Sequence, residues 1–155
     1  MSCIVAIDPG PKESAFVRYD PLCQELLDFG KEPNGKFIGE GWEPFKGDSI
    51  FIEMIASYGM PVGKEVFETC VFIGKLLNTY QWEWNTHRLT RHMVKLHVCK
   101  SARANDANIR AALIDRFGGT PAIKKGGPLY KVSGDVWAAL AVAITAAETT
   151  ERYEP

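Results

Sequence analysis

The sequence has no apolar run long enough to cross a membrane, only three histidines, and no closely spaced cysteine pair. A membrane-spanning helix needs roughly 18 consecutive apolar residues. The longest candidate, Val136 to Ile144, runs for only nine, so it reads as a buried core helix. The N-terminus lacks a basic region, and Asp8 interrupts the first apolar stretch after five residues. No secretory leader is expected from that pattern. The cysteines Cys3, Cys23, Cys70 and Cys99 lie far apart without a CxxC pair, which excludes the usual zinc spacings. Cys3 and Cys70 fall at apolar positions and read as small packed hydrophobes. This usage fits a reducing, cytoplasmic setting better than a disulfide framework. His87, His92 and His97 step by five, which turns them to different faces of a helix rather than onto one metal.

Bulk composition is that of a globular chain. The 155 residues are 46% hydrophobic and 24% charged, which fits one domain spanning residues 1–155 with a full core. The net charge of −1 conceals an asymmetry. Between His87 and Lys131 there are ten basic and two acidic residues, a local charge of +8. The rest of the chain has 8 basic and 17 acidic residues, or −9. A basic half is the footprint of a polyanionic partner. It also fits a solvated face balanced by the acidic half.

Periodicity divides the chain into short elements. Residues 3–8 read as a buried strand closed by Pro9-Gly10. Ser14 to Tyr19 and Leu22 to Phe29 follow as further strands, so residues 3–29 form an antiparallel meander. Gly30 to Gly47, with five glycines and two prolines, reads as a loop or irregular cover. Ser49 to Ile55 is a fourth strand, and Trp82 to Leu89 suits a fifth. Between them a helix is expected over about residues 62–80, with Val66, Cys70, Ile73, Leu77 and Tyr80 as its apolar stripe. Thr90 is placed to cap a helix to about Val98. Another helix runs from about Asn105 to Phe117, stopped by Gly118-Gly119, and Ser133 caps a last one to about Glu148. The pattern is a mixed-sheet α/β domain.

Three acids stand out against that frame. Asp8 ends the first strand, Glu53 ends the run Ile50-Phe51-Ile52, and Asp135 opens the final apolar helix. An unpaired buried charge is very costly, so carboxylates at the ends of core elements call for a positive partner. A hard divalent cation with oxygen ligands is the natural one. Taken singly, Asp8 would also serve as a turn cap and Asp135 as a first-turn acid favouring the helix dipole. Lys95, Lys100 and Arg103 open the basic half and are the first candidates for phosphate contacts, the alternative for each being simple surface solvation. Lys124, Lys125 and Lys131 lie in the segment before Asp135, which reads either as a mobile basic loop beside the acids or as a plain connection. Tyr58 and Phe67 are candidates for insertion between bases or for ordinary core positions.

These motifs carry a family resemblance. Ile4-Val5-Ala6-Ile7-Asp8-Pro9-Gly10 resembles the first motif of RuvC-type Holliday junction resolvases, in the ribonuclease H-like superfamily. Ile52-Glu53 resembles the second, and the stretch from Met93-Val94-Lys95 to Arg103-Ala104 the family's Val-Lys segment and basic loop. Gly134-Asp135-Val136-Trp137 and the apolar run behind it resemble the family's last, acid-bearing helix. The compact size and the Ser133-Gly134-Asp135 wording are similar to phage-type members. The resemblance implies a ribonuclease H-like mixed sheet flanked by helices. It implies a metal-dependent endonuclease that nicks branched DNA, working as a homodimer. Asp8, Glu53 and Asp135 would be the catalytic, metal-holding acids, with two Mg²⁺ (or Mn²⁺) ions per site and Asp8 as the bridging ligand. There is one departure: where the family commonly carries a second acid three residues on, this chain has Ala138. Asp135 would then act alone on that helix, unless Asp106 or another acid compensates.

Other readings compete. The same fold serves nucleases of RNA, hybrid or flap substrates, and the missing acid would also suit an inactive DNA-binding module. Ile7-Asp8-Pro9-Gly10 is compatible with the phosphate motif of actin-like ATPases, but the chain is far too short for their two-domain clamp.

Overall fold

Four stretches of backbone, residues 2–39, 47–56, 58–80 and 86–149, are described by the computed structural model. Three strands form the expected meander: β1 (Ile4–Asp8), β2 (Glu13–Asp20) and β3 (Glu25–Pro33), paired antiparallel in sequence order. Strands β4 (Ser49–Met54) and β5 (Thr86–Thr90) then add in parallel on the other side of β1. The sheet order is β3-β2-β1-β4-β5. β1 is therefore central, covered on both faces, and apolar at every position before Asp8.

Residues 30–38, the first part of the stretch expected to be an irregular loop, are regular structure. β3 starts later than expected and continues through Pro33, and a short helix, α1 (Asn34–Ile38), follows. Leu22 is exposed in the β2–β3 turn, where the Asp20 carboxylate accepts the Leu22 and Cys23 amides. Gly30 pairs with Phe16 across β2 and β3, and a Cβ there would come within 3.2 Å of the Phe16 ring. What reads as a loop glycine is a close approach between strands. α1 brings in Phe37, fully buried edge-on to Phe16 and Phe72. Trp42 and Phe45, and the Trp82 end of the expected fifth strand, lie outside the described residues.

Two cores sit on opposite faces of the sheet. One gathers Val5, Ile7, Ile50, Ile52 and α1 against α2 (Lys64–Tyr80). The stripe expected on α2 is rotated. Thr69, Phe72, Ile73, Leu76 and Tyr80 are its buried residues, whereas Val66, Cys70 and Leu77 are half-buried. Phe67 and Val71, on a second apolar face, are exposed. Two apolar faces on one helix defeat a single-stripe reading.

The other core gathers Ile4, Ala6 and Phe51 under α3 (Arg91–Cys99), α4 (Asp106–Arg116) and α5 (Val136–Thr149). Thr90 caps α3 as expected, its hydroxyl accepting the Met93 amide. Asn105 and Asn108 form a reciprocal capping box at the start of α4. At α5 the Ser133 carbonyl accepts the Val136 amide, so Ser133 supplies main chain at that start. α5 is buried nearly all round, as its continuous apolar sequence demands.

The segment between α4 and α5 folds back on itself rather than running as a plain connection. A turn of 3-10 helix (Thr120–Ile123) folds back so that the Leu129 amide reaches the Ala122 carbonyl, and Leu129 is fully buried.

Candidate metal and nucleic-acid site

Strand parity assembles the acids. In a strand, alternate residues face the same side. Ala6 and Phe51 face the α5 core, so Asp8 and Glu53, two positions on, face it too. β1 and β4 run in register up to Ile7 opposite Ile52, which puts Asp8 and Glu53 side by side at the next step. Asp135 immediately precedes α5, which packs over β1 and β2. Sheet and helix thus deliver three carboxylates to one edge.

Their surroundings differ. Glu53 is only 9% exposed. Burial raises its pKa, opposed by the nearby Arg91 and Lys95 charges. Arg91 donates to Glu53 Oε1 at 3.2 Å, while Glu53 Oε2 is buried and has no hydrogen-bond partner among the described residues. Asp8 is pushed up to about 7, first by burial and then by the charges of Glu53 and Asp135. Asp135 is more open and accepts from Lys31 Nζ at 2.6 Å. A cleft of about 410 Å³ runs beside Asp8 and Asp135, walled by Arg91, Asp106, Arg110, Trp137 and Ala138 among others. Arg91 also pairs with Asp106.

The turn after Asp8 is held in place by side chains. The Ser14 hydroxyl accepts from the Gly10 amide and donates to Asn34 Oδ1 at 2.7 Å. Asn34 Nδ2 donates to the Gly10 carbonyl, closing the ring of contacts. A Cβ on Gly10 would fall 2.3 Å from the Glu13 carbonyl oxygen, so only glycine fits this turn. Asp8 therefore projects from a rigid strand end.

Among the described residues, no three His, Cys, Asp or Glu side chains are drawn together as a metal-binding group. Glu53 and Asp135 turn instead to Arg91 and Lys31. The donor set nevertheless fits a hard divalent ion. The three acids offer oxygen ligands only, and the buried, unpartnered Glu53 oxygen calls for a cation or a donor. Ala138 is half-buried in the cleft wall, in the first turn of α5, three residues after Asp135.

The six basic residues singled out from the sequence do not converge on the acids. Lys95, on α3, is the one whose charge reaches Glu53. Lys100 ends α3 in a left-handed conformation, φ 59°, and shares a shallow groove with Arg103. Lys124 and Lys125 are exposed beside a separate hollow under the 3-10 turn. Lys131 is exposed and lies over the Tyr130 ring. Tyr58 and Phe67 are exposed, 68% and 62%, so neither is a core residue. Arg91 and Lys31 were not singled out. Lys31 was hidden in the supposed loop; Arg91 carried a signal, because it follows a strand that ends beside Glu53.

The sheet order, with an antiparallel meander continued by parallel strands and acids at the edge, defines a ribonuclease H-like fold. Within that class the chain has the fold of RuvC. It superposes on Thermus thermophilus RuvC with a TM-score of 0.69 at 15% identity, covering 97% of this chain and 96% of that one. It also matches T. thermophilus RuvC in complex with a Holliday junction substrate, at a TM-score of 0.65 and 15% identity, covering 98% and 96%. No protein-family model and no curated protein matches the sequence. No helix among the described residues is long and apolar enough to cross a membrane.

Proposed function

We propose that the protein is a metal-dependent, structure-selective endonuclease that nicks branched DNA such as four-way junctions. The observation that carries this reading is the convergence of Asp8, Glu53 and Asp135 on one edge of a RuvC-like fold. The RuvC complex with a Holliday junction supports the choice of branched DNA. Asp8, Glu53 and Asp135 would hold the Mg²⁺ or Mn²⁺ ions, two per site as the resemblance implies, through oxygen ligands alone. Such ions, when bound, make a water nucleophilic at neutral pH and stabilise the attacking and leaving oxygens. The chain itself holds and orients. The Ser14–Asn34 contacts fix the Asp8 turn, and Lys95 brings positive charge beside Glu53. Lys100, Arg103, Lys124, Lys125 and Lys131 would hold the flanking backbone, since phosphate contacts position a duplex without reading its sequence.

The protein works as a homodimer in this reading. Met60, Val62, Phe67 and Val71 leave an apolar strip exposed at and before α2, and exposed strips of this kind mark association surfaces. Two sites related by a two-fold axis suit paired nicks in a four-way junction.

The test is cleavage of a synthetic four-way junction, with and without Mg²⁺, beside flap, hybrid and RNA substrates. Junction nicking that requires the metal and disappears in Asp8→Asn, with binding retained, is the expected result. Tight binding without cleavage at any Mg²⁺ or Mn²⁺ concentration would replace the reading with that of a DNA-binding module.

A further inference from the structure

Arg91 has two acidic partners of opposite character. Its Nη1 donates to Glu53, whose side chain is 11% exposed, and its Nη2 to Asp106, whose side chain is 87% exposed. The Glu53 contact, 3.2 Å, is longer than the ~2.7–2.9 Å of a strong charge-assisted bond. Glu53 Oε2 meanwhile has no partner among the described residues. The buried acid is thus only partly neutralised, by a cation that an exposed acid also holds. Arginine does not give up its proton. A second cation arriving at Glu53 must therefore either coexist with the guanidinium or move it. Asp106, in the first turn of α4 and on the wall of the same cleft, is a ready acceptor for it.

We propose that Arg91 is the place-holding cation of Glu53 in the metal-free protein, and that Asp106 receives it when a divalent ion takes Glu53. Arg91 and Asp106 are then positioning residues that set the metal affinity without ligating metal. The inference rests on the reading of Glu53 as a metal ligand. It also gives Asp106 a role other than replacing the acid absent at Ala138.

The experiment is calorimetric titration of Mn²⁺ into the full chain without DNA, alongside thermal melts. Arg91→Ala should bind Mn²⁺ more tightly, on the order of fivefold, the scale of one part-buried charge pair. Asp106→Asn should bind more weakly by about twofold to fivefold, because Arg91 is left with Glu53 alone. Arg91→Lys, which keeps the charge, should return toward the parent. In the Arg91→Ala background, Asp106→Asn should have no further effect, since Asp106 acts only through Arg91. A persistent Asp106 effect there would show that Asp106 acts on the metal directly and overturn the relay. Equal affinity of the parent and Arg91→Ala, with a lower melting temperature for the variant, would reduce Arg91 to a structural tie. If Arg91→Ala does not fold, Arg91→Gln serves in its place. A parent that binds no Mn²⁺ removes the metal-site reading as well as this inference. A parent that binds while Arg91→Ala is unchanged removes only the latter.

Discussion

At the residue scale, Asp8 carries the clearest pH signature. Its folded pKa is pushed up to about 7, from a usual value of 3.8, by burial and by its acidic neighbours. Between those two values the unfolded chain has released the proton and the folded chain retains it. The contribution of Asp8 to stability is therefore fully present below about 4 and is lost as pH rises through about 7. In urea unfolding with chelator present, Asp8→Asn should gain on the parent as pH rises from 5 to 8, because the amide has no proton to lose. Parallel curves for the two proteins would place the Asp8 carboxyl in a more solvated setting. Divalent metal should abolish the difference by favouring the ionised acid. The neighbouring position bears on the same site. Ala138→Asp would set a second carboxylate three residues after Asp135, on the same helix face. It should lower the Mg²⁺ concentration for half-maximal cleavage, because Ala138 already lines the cleft. A stable Ala138→Asp variant that needs as much Mg²⁺ as the parent would place position 138 outside the metal shell.

At the element scale, the segment from Gly118 to Ser133 leads into Asp135 and the start of α5. A Cβ on Gly127 would lie 2.3 Å from the Ala122 carbonyl oxygen and 2.4 Å from that of Pro121. Both are backbone atoms, so the fold-back would have to open. Gly127→Ala should cost roughly 1–3 kcal/mol by urea unfolding, the usual range for overpacking. It should also reduce cleavage, through displacement of the Val132–Asp135 wall. A cost below about 0.5 kcal/mol, typical of indifferent surface changes, would mean that the turn relaxes freely. The same segment shows what the sequence could not express. Lys124-Lys125-Gly126-Gly127 has the composition of a flexible loop, and nothing local says that Leu129 will bury itself under Ala122. Gly30 misled in the same way, since its partner Phe16 lies on another strand. By contrast β1, β4, the Thr90 cap and α5 were legible, because burial on both faces, capping and continuous apolarity are local properties. The placement of the three acids at the ends of core elements was legible for that reason as well. Their pairing with Lys31 and Arg91 was not, because it depends on which strands become neighbours.

At the scale of the whole molecule, an exposed apolar surface among the described residues lies around α2. Val62, just before α2, is 47% exposed, and Phe67 and Val71 are 62% and 60% exposed on a helix whose opposite face already fills the core. Leaving a Val- or Phe-sized side chain in water forgoes roughly 1.5–3 kcal/mol compared with burying it fully. Three such residues together are a strong incentive to associate. The prediction is a dimer in sedimentation velocity at micromolar concentration, converted to monomer by the pair Phe67→Glu and Val71→Glu. Neither substitution touches the buried face of α2, which Phe72, Ile73 and Leu76 supply, so the circular dichroism spectrum should not change. On a four-way junction the parent should release paired nicks, whereas the monomeric variant should give single, uncoupled ones. A parent that sediments as a monomer, or a doubly charged variant that remains a dimer, would move the association surface away from α2. Loss of metal binding in the monomer would carry a different meaning. It would show that the acids need the second subunit to hold their geometry, although β1, β4 and α5 belong to a single chain.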